Sequence, residues 1–140
     1  MMEKKAMDIL IVEDDPVSCT LIKTILSPYG QITTCADGLE AVAVFENALD
    51  NNKPYSLACL DIMLPGIDGQ DVLKRLRNAE NQRGISGLDG VRIIMVTALG
   101  DNKSIMRAFN AQCEGYIVKP IRKDKVLFQL QALGLIPEEV

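Results

Sequence analysis

Five polar residues stand where short apolar runs end: Glu13 and Asp14 after ILIV, Asp61 after LACL, Thr97 after IIMV, and Lys119 after YIV. Three carboxylates, one hydroxyl and one amine form a chemical set only if the fold gathers them. Brought together, the carboxylates would repel one another and raise each other's pKa unless a cation lay among them. Oxygen donors without thiolate or imidazole suit a hard, hydrated ion, and Mg²⁺ is the natural choice because it keeps several waters and waits for a phosphate oxygen. A carboxylate in that setting can attack a phosphoryl group while metal and lysine neutralise charge on the phosphoryl oxygens.

The runs themselves read as strands: Asp8 to Glu13, Gln31 to Cys35, Ser56 to Asp61, Val91 to Thr97 and Gly115 to Val118. Four have continuous apolar cores, as strands buried on both faces of a parallel sheet require, while the polar second strand is expected at an edge. Between them, helices follow a period near 3.6: Val17, Leu21, Ile25; Val42, Phe45, Leu49; Val72, Leu76, Ala79; Ile105, Met106, Phe109; and Val126, Leu127, Leu130. Asp15 before Pro16 reads as a helix cap with a first-turn proline, Asp68 and Gly69 cap the third helix, Gly30 closes the first and Gly134 follows the fifth. Right-handed crossovers then predict an α/β, doubly wound (βα)5 three-layer sandwich on a five-stranded parallel sheet. In such sheets the site lies at the carboxyl ends of the strands, where the five polar residues stand.

Composition narrows the chemistry. The chain has 140 residues, the size of one domain, and no histidine, which excludes a Ser/His/Asp or Cys/His nucleophile, a His-ligated metal and a phosphohistidine of its own. Fifteen basic against nineteen acidic residues, with the basic ones scattered, argue against direct nucleic-acid binding. Cys19, Cys35, Cys59 and Cys113 lie far apart and read as free thiols. No export signal or membrane-length apolar run is present, so a cytoplasmic protein with no membrane contact is expected.

The strings ILIVEDD at 9 to 15, LDIMLPGIDG at 60 to 69, VTA at 96 to 98 and YIVKP at 116 to 120 together resemble the receiver domain of two-component response regulators, over about residues 8 to 133. The resemblance implies a flavodoxin-like fold with strand order 2-1-3-4-5. It makes Asp61 the phosphoacceptor, Asp14 a direct Mg²⁺ ligand and Glu13 a ligand acting through water, with the Met63 backbone carbonyl completing the set. Thr97 would hold a phosphoryl oxygen, Lys119 would pair with the phosphoryl group, and the Lys119–Pro120 bond would be cis. Tyr116 would be the aromatic that switches with Thr97. The implied donor is a histidine kinase or His-phosphotransfer protein, and the implied output is docking of an unidentified protein on helix four, strand five and helix five, bearing Lys103, Arg107, Tyr116 and Lys123.

The expected organisation is an N-terminal extension at 1–7, a receiver at 8–134 and a short tail at 135–140 without an output domain, acting as a monomer or weak dimer. Met63 and Leu99 stand where relatives that lose phosphate quickly often carry polar groups, so a long-lived acyl phosphate is expected; Ala98 is small and leaves room for a bulky donor. The stretch from Asn81 to Gly90 reads as a long loop on the rim opposite the site. Three rival functions stand beside this one. An aspartyl-phosphate phosphatase of the haloacid dehalogenase type would want a second acid where Met63 stands. A flavin or nucleotide module would need a phosphate loop where EDDP stands. A receiver-like binding scaffold that is never phosphorylated would not need the complete acceptor set.

Overall fold

The computed structural model describes residues 6–98 and 102–137. Along the chain run β1 (Met7–Val12), α1 (Pro16–Leu26), β2 (Gly30–Cys35), α2 (Gly38–Asp50), β3 (Leu57–Asp61), α3 (Gly69–Gln82), β4 (Arg92–Thr97), α4 (Asn102–Asn110), β5 (Gly115–Val118) and α5 (Lys123–Ala132). The strands form one parallel sheet in the order β2-β1-β3-β4-β5, so the polar β2 lies at an edge as its composition requires. This is the flavodoxin-like arrangement expected.

Successive strand residues point to opposite faces, which explains why the central strands are apolar throughout. Leu10, Val12, Ala58, Leu60, Ile93 and Met95 pack under α2 and α3, against Phe45, Leu73 and Leu76. Their neighbours Ile9, Ile11, Leu57, Cys59, Ile94 and Val96 pack under α1 and α5, against Ile22, Ile25, Leu26, Val126 and Leu130. Two layers of helix thus enclose the sheet and leave its carboxyl edge open.

The helix starts follow local chemistry. Asp15 caps α1, its carboxylate accepting from the Ser18 amide at 3.2 Å and the Ser18 hydroxyl at 2.8 Å, with Pro16 in the first turn. Asp68 caps α3 through the Asp71 amide at 3.0 Å. Asp37, unmarked by the sequence reading, caps α2 through the Glu40 amide at 2.8 Å.

Four expectations need correcting. Val17 and Leu21 are exposed (75% and 41%), and α1 buries Ile22 and Leu26 beside the expected Ile25. In α4, Met106 and Phe109 lie outside, and Ala108 is the residue buried. Gly30 does not close α1: a 3-10 turn, Ser27–Tyr29, does so, and Gly30 opens β2 in extended backbone, where a Cβ would run into the Met7 carbonyl. Between α3 and β4, helix persists to Gln82 and a 3-10 turn forms at Gly87–Asp89, so the irregular link is shorter than the sequence suggests. Gly84 and Gly87 take positive φ there, the conformation glycine adopts without strain.

Candidate functional site

The open edge collects four of the five polar residues into direct contact or close range. β1 ends at Val12, and the Glu13 amide still bonds the Cys35 carbonyl at 3.0 Å, so Glu13 turns inward, buried, while Asp14 is exposed beside it. β3 ends on Asp61, which is 3% exposed. Its two carboxylate oxygens are held separately: Oδ1 accepts from the Met63 amide at 2.9 Å and Oδ2 from Lys119 Nζ at 3.1 Å. The same ammonium pairs with Glu13 Oε1 at 3.0 Å, and Glu13 Oε2 accepts from the Asp15 amide at 3.2 Å. Lys119 is brought there by its own backbone, whose amide donates to the Thr97 carbonyl at 2.7 Å just past the end of β5.

Thr97 ends β4 and is 1% exposed. Among the described residues its hydroxyl makes only a long contact, 3.4 Å, to the Ala98 carbonyl and so is weakly committed. The Lys119–Pro120 peptide is cis. Tyr116 points outward from β5, 38% exposed, with its ring edge-on to Phe109 at 6.1 Å. Met63 presents its side chain to solvent, 71% exposed, while its amide serves Asp61. Leu99, expected to flank the site, lies outside the described residues.

One supporting residue escaped the sequence reading. Gly69, the first residue of α3, sits against the backbone of Asp61 and Ile62, where a Cβ would collide with the Asp61 carbonyl, and its amide donates to the Ile62 carbonyl at 2.9 Å. The sequence offered Gly69 only as part of a helix cap; the close approach depends on how α3 meets β3.

Electrostatically, the site is short of positive charge. Burial above all, with the neighbouring Asp61 carboxyl second, raises the Glu13 carboxyl from 4.5 to about 7, although Lys119 and the Asp15 amide pull it down. For Lys119, burial opposes the charged form, but Glu13 and Asp61 outweigh it and hold the amine above its usual value. One carboxylate oxygen each from Glu13, Asp14 and Asp61 lies within 4.8 Å of the others. A crowded all-oxygen set with one carboxyl pushed toward neutrality fits a hard divalent cation, and Mg²⁺ in particular, because an exposed Asp14 leaves room for retained waters.

Comparison with known proteins agrees with this geometry. The family model described as the response regulator receiver domain matches residues 9–131. Regulatory protein VanRB of Enterococcus faecalis is 36% identical over 127 residues, 89% of this chain and 51% of that protein. The chain spans about half the length of the curated relatives it matches. Among solved structures, the receiver domain of sensor histidine kinase PA1611 from Pseudomonas aeruginosa PAO1, which has a magnesium ion coordinated in its active-site cleft, is 30% identical with a TM-score of 0.74, covering 93% of this chain and 99% of that one. A CheY-like receiver domain protein from Methanospirillum hungatei is 28% identical with a TM-score of 0.74, covering 94% of each chain. No helix among the described residues is long and apolar enough to cross a membrane.

Proposed function

The chain belongs to the response-regulator receiver family of two-component systems, and we propose that it accepts a phosphoryl group on Asp61 from the phosphohistidine of a histidine kinase or His-phosphotransfer protein. The observation that carries this reading is the Asp61 carboxylate: buried at a strand end, with one oxygen held by Lys119 and the other by the Met63 amide, beside Glu13 and Asp14.

In the transfer, an Asp61 oxygen forms the new P–O bond as the P–N bond to the donor imidazole breaks, and the electron pair leaves on that imidazole nitrogen. This chain has no histidine, so the imidazole belongs wholly to the donor. A Mg²⁺ ion held by Asp14, Asp61 and the Met63 carbonyl, with Glu13 reaching it through water, would supply charge neutralisation on the phosphoryl oxygens. Lys119 exchanges its contact with Asp61 for a phosphoryl oxygen, and the weakly held Thr97 hydroxyl turns to donate to another. The protein assists its own phosphorylation and dephosphorylation in this way and serves as acceptor rather than as an enzyme on a separate substrate.

Reorientation of Thr97 and Tyr116 then biases the surface of α4, β5 and α5, with Lys103, Arg107, Tyr116 and Lys123, for docking a protein partner. Incubation with acetyl phosphate and Mg²⁺, followed by intact-mass measurement, tests the proposal. One added phosphoryl group is expected, absent in Asp61→Asn and without magnesium. No adduct on the wild type would favour the non-phosphorylated scaffold instead.

A further inference from the structure

α4 is anchored unequally along its length. Its C-terminal half buries Ala108 and is followed by the buried Cys113, both in the core shared with α3, and Arg77 Nε donates to the Gln112 carbonyl at 3.0 Å just past its end. In its N-terminal half Ser104 and Ile105 are half-buried and Met106 is exposed. Among the described residues, one hydrogen bond reaches that half from α3: the side-chain amide of Gln70 donates to the Ser104 carbonyl at 2.7 Å.

Gln70 is joined to the acceptor through its neighbour. Gly69 lies against the backbone of Asp61 and Ile62, and its amide donates to the Ile62 carbonyl at 2.9 Å. Two consecutive residues thus connect the backbone of Asp61 to α4, by a route separate from the one through Thr97.

The strut is weaker than its length suggests. Only the nitrogen of the amide can donate to a carbonyl, so Oε1 is the atom left over, and it is buried without a hydrogen-bond partner in a residue 2% exposed. Leaving a buried acceptor unpaired costs more than one neutral hydrogen bond returns. Nor does the Ser104 carbonyl depend on the strut, because inside α4 it also faces the amide four residues on. An unbranched apolar side chain of the same length would therefore hold α4 in this position at least as well. What the amide adds is a tie that yields: a displacement of α4 breaks it and lets water pair with the stranded oxygen.

We propose that Gln70 is a positioning residue of the switch, a deliberately weak strut between the acceptor and the N-terminal half of α4, which swings about its anchored C-terminal end. This rests on the phosphoacceptor reading above, which supplies the event that moves α4. The unpaired oxygen disfavours the unmodified position of the helix and so lowers the work that phosphorylation must do.

Gln70→Met and Gln70→Leu in the full chain test this, since both keep the bulk and remove the amide. In the unmodified protein the Met variant should raise the urea midpoint by about 0.5 M and slow hydrogen exchange of the α4 amides about threefold or more, with α3 unchanged. Fluorine NMR titration with beryllofluoride, a phosphoryl analogue, in Mg²⁺ should show binding weakened by about fivefold or more, because the unmodified state has been favoured. A side chain that only packs would change stability and leave that affinity alone. The proposal is overturned if both variants are less stable than the wild type with faster exchange in α4, or if both bind beryllofluoride as tightly as the wild type. A wild type that takes neither beryllofluoride nor a phosphoryl group from acetyl phosphate would overturn the phosphoacceptor reading itself, an outcome told apart by the wild type alone.

Discussion

Glu13→Gln is the substitution whose effect the site electrostatics determine most directly. With its carboxyl raised from 4.5 to about 7 by burial and by Asp61, the metal-free folded protein keeps a proton on Glu13 through a pH range in which the unfolded chain has lost it. The folded state then binds more protons than the unfolded state between about pH 4.5 and 7, so stability falls as pH rises through that window. At about 1.4 kcal/mol per pH unit, the full separation bounds the loss at about 3 kcal/mol. Gln keeps the shape and removes the charge. It gives up the 3.0 Å pair with Lys119, but that ammonium retains Asp61 at 3.1 Å. Urea denaturation followed by circular dichroism, in EDTA at pH 5 and pH 8, should show the wild type about 1–3 kcal/mol less stable at pH 8. Glu13→Gln should lose most of that difference and exceed the wild type at pH 8. Magnesium should restore the wild type at pH 8 far more than the variant. A wild type whose stability rises across the window, or a Gln variant that is the weaker protein at pH 8, would refute the reasoning.

Lys119→Met removes the cation that both buried carboxylates share; we expect it to lose about 1–3 kcal/mol at pH 8 in EDTA and to accept phosphate from acetyl phosphate at least about tenfold more slowly by intact-mass time course. Unchanged labelling would show that Lys119 has no part in the transfer. Arg77→Met leaves Glu80 and Glu114 without their shared guanidinium and should cost about 3–5 kcal/mol in urea denaturation, partly recovered by adding Glu80→Gln; a loss under about 1 kcal/mol would mean that water replaces the network. Met63 holds no polar group over the acceptor, so phosphorylated wild type should decay slowly and Met63→Glu about tenfold faster, measured by loss of the phosphoryl mass after donor removal. Equal decay rates would assign the lifetime to other residues.

The sheet was legible because burial on both faces leaves a plain mark: residues 9–12, 57–60 and 93–96 are apolar without interruption, and only two helical layers can cover both of their sides. The site was legible for the same reason, since the first polar residue after each run must emerge at one edge. The faces of α1 and α4 were not. α1 carries apolar residues at 17, 21 and 25 and again at 22, 25 and 26, and a single helix offers no reason to prefer one stripe until α5 and the sheet occupy one side. The Arg77 network was invisible on different grounds. Nothing in their spacing marks Arg77, Glu80 and Glu114 for burial, yet Arg77 is 9% exposed and Glu80 3%, because their partners include the Val91 amide and carbonyl and the Ile93 amide, backbone groups at the entry to β4. No side-chain pattern encodes a backbone partner.

The same accounting identifies the element that yields first when the site changes. α3 buries Val72, Leu73, Leu76 and Ala79 completely, and each large apolar side chain so buried contributes about 1.5–3 kcal/mol. α4 places only Ala108 fully in the core among its described residues, so it lacks that anchorage and is held by polar struts: Gln70 to the Ser104 carbonyl at 2.7 Å, and Arg77 Nε to the Gln112 carbonyl at 3.0 Å just beyond its end. Elements with little buried apolar area open at the lowest free energy. Thr97 ends β4, the strand that precedes this weakly anchored helix in the chain, and its carbonyl is bonded to the Lys119 amide, so a displacement at the end of β4 is felt at the end of β5. Tyr116 then cannot turn inward without breaking its edge contact with Phe109, which ties the outer face of β5 to α4. In the proposed function, a charge change at Asp61 would therefore be read out on α4 and β5 at low cost, whereas moving α3 would require disrupting the core itself.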